Sequence, residues 1–169
     1  MLVEILVEDD RWQNVRLAAL AETAASATLS RLGIEPGMFE VSLMGCDDAR
    51  ISELNAEFRA KQKPTNVLSW PAQALSTGRP GETPVSPEIG PMGPTELGDI
   101  ALAYETCRQE ADTADKSLDD HVTHLIVHAM LHLLGYDHIN DQDAALMEEL
   151  EVDILATLGL PDPYMQSNA

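Results

Sequence analysis

Three histidines lie within the segment HAMLHLLGYDH, at positions 128, 132 and 138, among mainly apolar residues. His128 and His132 are four residues apart, a spacing that stacks two side chains on one face of a helix. Gly135 is a residue type that commonly ends a helix, after which the chain can turn and bring His138 back to the same point. Three imidazoles without an evident fourth ligand are typical of a catalytic site with an open position for water. The spacing predicts one divalent metal ion, most simply Zn²⁺, although imidazole also suits Ni²⁺, Co²⁺ and copper.

Other polar residues surround this motif. His121 and His124 precede it on the same predicted helix, but a fourth imidazole ligand would close the site. We therefore expect structural roles, or contacts to the ligands, for both. Asp137 is flanked by the second and third histidines and could hydrogen-bond an imidazole, position a substrate or lie in a solvated turn.

The histidine spacing is similar to the metallopeptidase pattern HExxHxxGxxH, in which the glutamate is the general base. Ala129 occupies that position here, so the expected peptidase base is missing. A metal can still lower the pKa of bound water and polarise a substrate oxygen. That chemistry suits phosphodiester cleavage if a cation helps to hold the phosphate.

Candidate cations lie in the segment RAKQKPTNVLSW, which contains Arg59, Lys61 and Lys63. The two lysines are typical of a solvated helix end, where positive charge complements the helix dipole. Arg59 is better suited to phosphate because its planar guanidinium can donate two parallel hydrogen bonds.

The predicted elements alternate between strands and helices along one domain, residues 1–169. Hydrophobic periodicity and capping residues predict strands over 2–8, 38–44, 65–70 and 98–104, and helices over 14–32, from Asp47 or Asp48 to about 58, over 105–115, from Ser117 through the histidines, and over 141–158. The segment 71–96 contains six of the ten prolines, and this composition favours an extended loop.

Composition narrows the classes of function. The formal net charge of −19 disfavours long-range attraction to nucleic acids and anionic membranes. Cys46 and Cys107 are far apart in sequence, which fits a reducing compartment with both thiols in the core. The sequence shows no signal peptide and no apolar run of roughly 18 residues that could span a membrane. We therefore expect a cytoplasmic protein.

Three segments carry a resemblance to a known family. RAKQKPTNVLSWP, LGDIAL and HLIVHAMLHLLGYDH, in this order, resemble the YbeY family of bacterial rRNA maturation factors, and the similarity runs from the first strand to about Leu158. The resemblance implies an α+β fold, with a small mixed four-stranded sheet packed with helices and a central histidine-bearing helix. It also implies a metal-dependent, single-strand-specific endoribonuclease in rRNA maturation and small-subunit ribosome quality control.

The resemblance assigns roles residue by residue. The three metal ligands of the family fall on His128, His132 and His138, and its functional arginine falls on Arg59. The sequence departs from the family pattern at Ala129, where glycine is usual, at Trp70, where phenylalanine is usual, and in the longer connection 71–96.

These roles lead to a hypothesis in which water or a ribose 2′-OH, activated by the metal, attacks a phosphodiester. The metal and Arg59 then share the developing charge. The acidic charge predicts poor affinity for naked RNA, so we expect a basic partner, a small-subunit ribosomal protein or an assembly GTPase, to present an rRNA precursor. DNA and membranes are not expected partners. The alternatives are a non-catalytic metal-binding ribosome assembly factor and a zincin-like metallopeptidase.

Overall fold

The computed structural model describes residues 2–59 and 63–164. Within this part of the chain, the strands are β1 (Val3–Val7), β2 (Phe39–Cys46), β3 (Val67–Pro71) and β4 (Thr95–Ala103). The helices are α1 (Leu17–Arg31), α2 (Asp48–Arg59), α3 (Tyr104–Thr113), α4 (Leu118–Leu133) and α5 (Asp141–Thr157). Short 3₁₀ turns lie at Asp10–Asn14 and Pro36–Met38.

The strands form one mixed sheet in the order β1-β2-β4-β3. Strand β2 pairs in parallel with β1, where Val3 faces Val41, and with β4, where Phe39 faces Thr95. Strand β3 pairs antiparallel with β4. The predicted α+β fold with a mixed four-stranded sheet and a histidine-bearing helix is confirmed.

The two faces of the sheet are covered differently. Alternate residues of the strands, such as Leu43 and Ile100, point into the main core, where they join Ile126 and Met130 of α4. The opposite face is covered in part by α2, through a smaller cluster that includes Ile51 and Leu54. Because α4 packs its apolar sides into the main core, its polar residues are concentrated on the remaining side.

Two element boundaries differ from the sequence prediction by three residues, and the other boundaries differ by less. The helix expected from residue 14 begins at Leu17, because the preceding 3₁₀ turn buries Trp12 completely and directs its Nε1–H to the carbonyl of Cys46 at 2.8 Å. Strand β4 begins at Thr95 and not at residue 98. Gly98 has φ +144°, and a Cβ there would lie 2.2 Å from the carbonyl oxygen of Trp70. This irregularity interrupts the alternation of apolar and polar residues, so residues 95–97 are not recognised from the pattern as part of the strand.

The proline-rich segment connects β3 to β4 through residues 72–94, which contain neither helix nor strand. Its backbone folds back on itself, with Val85 N–H donating to the Leu75 carbonyl at 2.9 Å. A second link joins it to α5, where Asp143 accepts a 2.8 Å hydrogen bond from the Gly81 backbone. Leu75 is buried in the main core, so the connection forms part of the packed structure.

The cysteines agree with a further expectation from the sequence. Cys46 and Cys107 are buried and take part in no disulfide, as expected for core residues. Burial raises the pKa of the Cys46 thiol to about 12. Among the described residues, no helix is both long enough and apolar enough to cross a membrane.

Candidate metal centre

Helix α4 places the first two histidines of the motif. Its N-terminus is capped by Ser117, whose hydroxyl accepts a 3.1 Å hydrogen bond from the Asp120 backbone, as the capping pattern predicts. Its C-terminus is followed by Gly135 with φ +99°, a left-handed conformation that glycine adopts without a Cβ penalty. The Tyr136 N–H then bonds back to the Leu131 carbonyl at 3.0 Å. The chain turns sharply there, as predicted, and His138 returns towards the helix.

The structure brings the three predicted ligands together. One ligand atom from each of His128, His132 and His138 lies within 4.8 Å of the other two. The Nε2 atoms of His128 and His132 are 3.0 Å apart. A tetrahedral zinc ion with Zn–N bonds of about 2.0–2.1 Å separates its nitrogen ligands by about 3.3 Å. The number, type and spacing of these donors therefore fit a metal ion.

A carboxylate that sequence reasoning missed fixes the tautomer of His128. Glu151 of α5 is fully buried, and its Oε1 contacts His128 Nδ1 in a short hydrogen bond. An ionised carboxylate accepts hydrogen bonds and does not donate them, so Nδ1 carries the hydrogen. The lone pair of Nε2 is then available to a metal, which is the usual arrangement of a carboxylate behind a metal-binding histidine.

A backbone carbonyl has the same role for His132. His132 Nδ1 lies 3.0 Å from the Tyr136 carbonyl oxygen, which can only accept, so the Nε2 lone pair again faces the site. Burial, with the neighbouring His128, lowers the pKa of His132 to about 4. The imidazole is therefore neutral at pH 7, the form that binds metal.

Glu151 remains ionised although it is buried. Burial alone would raise its pKa, but hydrogen bonds from His124, from His128 and from the hydroxyl of Tyr164 lower it to about 2. A negative charge with little access to solvent thus lies directly behind the histidines. Such a charge raises the basicity of the imidazole and favours a cation on its other side.

The sequence contained a signal for Glu151. Met147, Leu150 and Ile154 are buried at helical spacing on α5, and Glu151 falls on the same face because it is four residues after Met147. An acidic residue on the apolar face of a helix needs a partner, and the nearby histidines provide it.

The remaining polar residues of the motif have other contacts. His124 Nε2 faces Glu151 Oε2 at 3.4 Å, and His121 Nε2 faces Glu110 at 2.9 Å, which agrees with roles other than metal ligation. Asp137 accepts a 2.8 Å hydrogen bond from the His138 backbone, and its carboxylate lies 4.0 Å from His132 Nδ1. It therefore shapes the turn and does not hydrogen-bond the imidazole.

The histidines line an open groove of about 1320 Å³. Its second wall is formed by β3 and the start of the proline-rich connection, and Lys63 lies at its edge. Arg59 is the last residue of α2, and its side chain is outside the described part of the structure. Lys61 lies outside the described residues altogether. The cationic part of the predicted site therefore stays a prediction.

Comparison with known proteins identifies the family. The family model "Endoribonuclease YbeY" matches residues 4–159. A Ruegeria pomeroyi protein named Endoribonuclease YbeY is 58% identical over 164 residues, which cover 97% of this chain and 98% of that protein. A Paracoccus denitrificans protein of the same name is 56% identical over 164 residues, with 97% and 90% coverage.

A solved structure supports the fold independently. The solution structure of TM1509 from Thermotoga maritima aligns with a TM-score of 0.53 at 17% identity, covering 97% of this chain and 99% of that one. At this identity the likeness bears on the fold alone. The full-length sequence matches show more: this chain belongs to the endoribonuclease YbeY family.

Proposed function

We propose that this protein is a metal-dependent endoribonuclease that cleaves single-stranded RNA during rRNA maturation and small-subunit ribosome quality control. Relatives named Endoribonuclease YbeY match this chain over nearly the whole length of both proteins. The observation that carries the proposal is the histidine cluster, in which His128 and His132 direct their Nε2 atoms to one point. Their opposite ring nitrogens are bound to Glu151 and to the Tyr136 carbonyl.

The metal is most simply one zinc ion held by His128, His132 and His138, with nickel or cobalt as alternatives. When bound, the ion lowers the pKa of water and polarises a phosphate oxygen. The chain supplies the preorganisation: Glu151 and the Tyr136 carbonyl keep the imidazoles in the correct tautomer. The neutral state of His132 at pH 7 means that no proton has to be displaced from it on binding.

Arg59 is proposed as the catalytic cation. It stands at the end of α2 between Asn55 and Lys63, and both of those residues line the groove. The Asn55 side chain donates to the Lys63 carbonyl at 3.0 Å, which ties α2 to the segment that leads into β3. An arginine at this position can bind the scissile phosphate and stabilise charge that develops during cleavage.

The metallopeptidase alternative has little support. Ala129 stands where the peptidase base would be, and it is buried. Glu151 cannot replace that base, because it is fully buried and both its oxygens are hydrogen-bonded to neighbouring side chains.

The charge of the chain bears on how the RNA is presented. The net charge of −19 weakens the binding of free RNA. Because salt screens charges over about 8 Å at physiological ionic strength, a local pocket of metal and cationic side chains can still attract a phosphate. The rRNA precursor is therefore delivered with a basic partner, a small-subunit ribosomal protein or an assembly GTPase, in the cytoplasm. The whole of residues 1–169 acts as one domain in this proposal, without a role for DNA or membranes.

The test is cleavage of a single-stranded rRNA-precursor fragment by wild type, His132→Ala and Arg59→Ala proteins of known metal content, purified identically. We expect wild type to cut, His132→Ala to lose metal and activity, and Arg59→Ala to keep metal but lose activity. Equal cutting by all three proteins would identify a contaminant and favour the non-catalytic assembly factor. A 2′,3′-cyclic phosphate at the product end would assign the 2′-OH, and not water, as the nucleophile.

A further inference from the structure

The chain after α5 returns to the histidine cluster and ends its described part at Tyr164. The Tyr164 hydroxyl donates a short hydrogen bond to Glu151 Oε2. Its ring meets the His124 ring edge-on, with centroids 5.9 Å apart. The Tyr164 backbone N–H donates to the Asp162 side chain at 2.8 Å, which fixes the turn that places the ring. Tyr164 lies beyond residues 4–159, where the family model matches.

Glu151 distributes its two oxygens between different partners. Oε1 contacts His128, whereas Oε2 contacts His124 and Tyr164. The final torsion of a glutamate side chain has a broad energy profile, so the carboxylate plane is set mainly by its hydrogen bonds. The Tyr164 contact is shorter than the 3.4 Å contact to His124. Tyr164 thus holds Oε2 together with His124, and this leaves Oε1 directed to His128.

The protonation state of Tyr164 suits this role. Tyr164 is 44% exposed, and the partial burial of its phenol, followed by the hydrogen bond to Glu151, raises the pKa of the hydroxyl. The hydroxyl therefore carries its proton and donates throughout the neutral range. A buried carboxylate that loses a donor is left with an uncompensated desolvation cost. Removing the hydroxyl would therefore disturb the orientation of Glu151, and Glu151 is the group that sets the tautomer of His128.

We propose that Tyr164 is a positioning residue of the metal centre. Tyr164 acts on His128 through Glu151, so the segment from the end of α5 to Tyr164 contributes to metal binding. This inference rests on the proposed metal-dependent function. It concerns metal binding, however, and can be measured without RNA. Failure to cleave RNA would therefore not be mistaken for failure of this proposal.

The test compares Tyr164→Phe with Tyr104→Phe in the full chain. Each variant loses one hydroxyl and keeps its ring, but Tyr104 packs against Trp12 with centroids 5.3 Å apart and does not line the groove. Zinc affinity is measured by competition with a chromophoric chelator on metal-free protein. We expect Tyr164→Phe to weaken zinc binding about threefold to tenfold, less than the tenfold to hundredfold typical when a direct partner of a ligand is changed. Tyr104→Phe should stay within about twofold.

Two further measurements separate positioning from a general loss of structure. The Nδ1–H resonance of His128, observed by proton–nitrogen correlation of the imidazoles, should shift in Tyr164→Phe and not in Tyr104→Phe. In the double variant Glu151→Gln/Tyr164→Phe, zinc affinity should equal that of Glu151→Gln alone, because the hydroxyl acts through the carboxylate. Unchanged zinc affinity in Tyr164→Phe, equal losses in both tyrosine variants, or additive losses in the double variant would each overturn the proposal.

Discussion

The two walls of the histidine groove are built from different kinds of contact. On the wall formed by α4 and the turn that follows it, the histidine side chains have fixed partners: His128 bonds Glu151 of α5 behind it, and His132 bonds the Tyr136 carbonyl. On the opposite wall, backbone contacts hold the start of the proline-rich connection, together with half-buried side chains such as Gln73, which bonds the Glu88 backbone twice. The first wall fixes the direction of lone pairs, which must be accurate for metal binding. The second wall fixes the width of the groove and tolerates more change.

The walls meet at Gly135. A Cβ at this position would lie 2.9 Å from Pro84 Cβ and 3.0 Å from both the carbonyl carbon and the Cβ of Leu75. The glycine that ends the histidine helix is therefore also the point where the connection packs against it. Substitutions in the two walls and at their meeting point should therefore differ in effect, and the largest effect is expected at the metal ligands.

Removal of a ligand should have the largest effect. We expect His132→Ala to lose its metal and to show no activity above background, because two imidazoles hold zinc far more weakly than three. Metal content after dialysis, measured by mass spectrometry, checks this expectation. His121→Gln is the matched control, since His121 lies on the same helix but contacts Glu110. If His121→Gln lost as much metal as His132→Ala, the assignment of the ligands would be wrong.

Changing the carboxylate behind the ligands should have the next largest effect. Glu151→Gln removes the negative charge that accepts from His128 Nδ1, and we expect zinc affinity to fall about tenfold to hundredfold. Glu110→Gln is the control, because Glu110 accepts from Asn66 and lies beside His121. Competition titrations with a zinc chelator give both values. Equal zinc affinities in the two variants would mean that Glu151 has no special role behind the α4 wall of the groove.

The meeting point of the walls can be tested through folding stability. We expect Gly135→Ala to lower the free energy of unfolding by about 1–3 kcal/mol, because φ is +99° and a Cβ also contacts Pro84 and Leu75. Gly78 provides the control, since it has φ +77° with nothing within 4 Å of its Cβ position. Urea titrations should therefore show a smaller loss for Gly78→Ala. A similar loss of unfolding free energy in both variants would mean that Pro84 and Leu75 add no cost to a Cβ at residue 135, and the proposed tight packing there would be wrong.

The smallest effect is expected on the second wall. Gln73→Ala removes two exposed hydrogen bonds to the Glu88 backbone, and water can replace exposed bonds. We expect the free energy of unfolding to change by less than about 0.5 kcal/mol, with zinc affinity unchanged. Thermal melting and the same chelator titration measure both quantities. A marked loss of zinc affinity would show that the second wall is coupled to the metal centre.

Much of the structure could be predicted because its signals are local in sequence. The histidine spacing, Ser117 and Gly135 predict one capped helix and a return of the chain, and the structure brings His128, His132 and His138 together as expected. The alternation of apolar and polar residues likewise predicts the strands and the face that each strand buries.

The parts that could not be predicted depend on packing between distant segments. The place of Glu151 on the apolar face of α5 marks it as an acid that needs a partner, but only the packing of α5 against α4 shows that this partner is His128. Tyr164 enters the site through a turn after α5, for which the sequence gives no spacing rule. The start of β4 was also missed, because Gly98 interrupts its pattern at the point where a Cβ would meet the Trp70 carbonyl.

The sheet topology has a consequence for the rate of folding. Pairing Val3 with Val41 and Phe39 with Thr95 requires long segments of chain to close before any strand contact forms, and non-local pairings of this kind slow folding. The groups around the metal, by contrast, lie on two consecutive helices and the short segments that follow them. Most of the loop-closure entropy that folding must overcome is therefore lost when the sheet forms. The folding rate should depend more on the pairing of β2 with β4 than on the assembly of the histidine cluster.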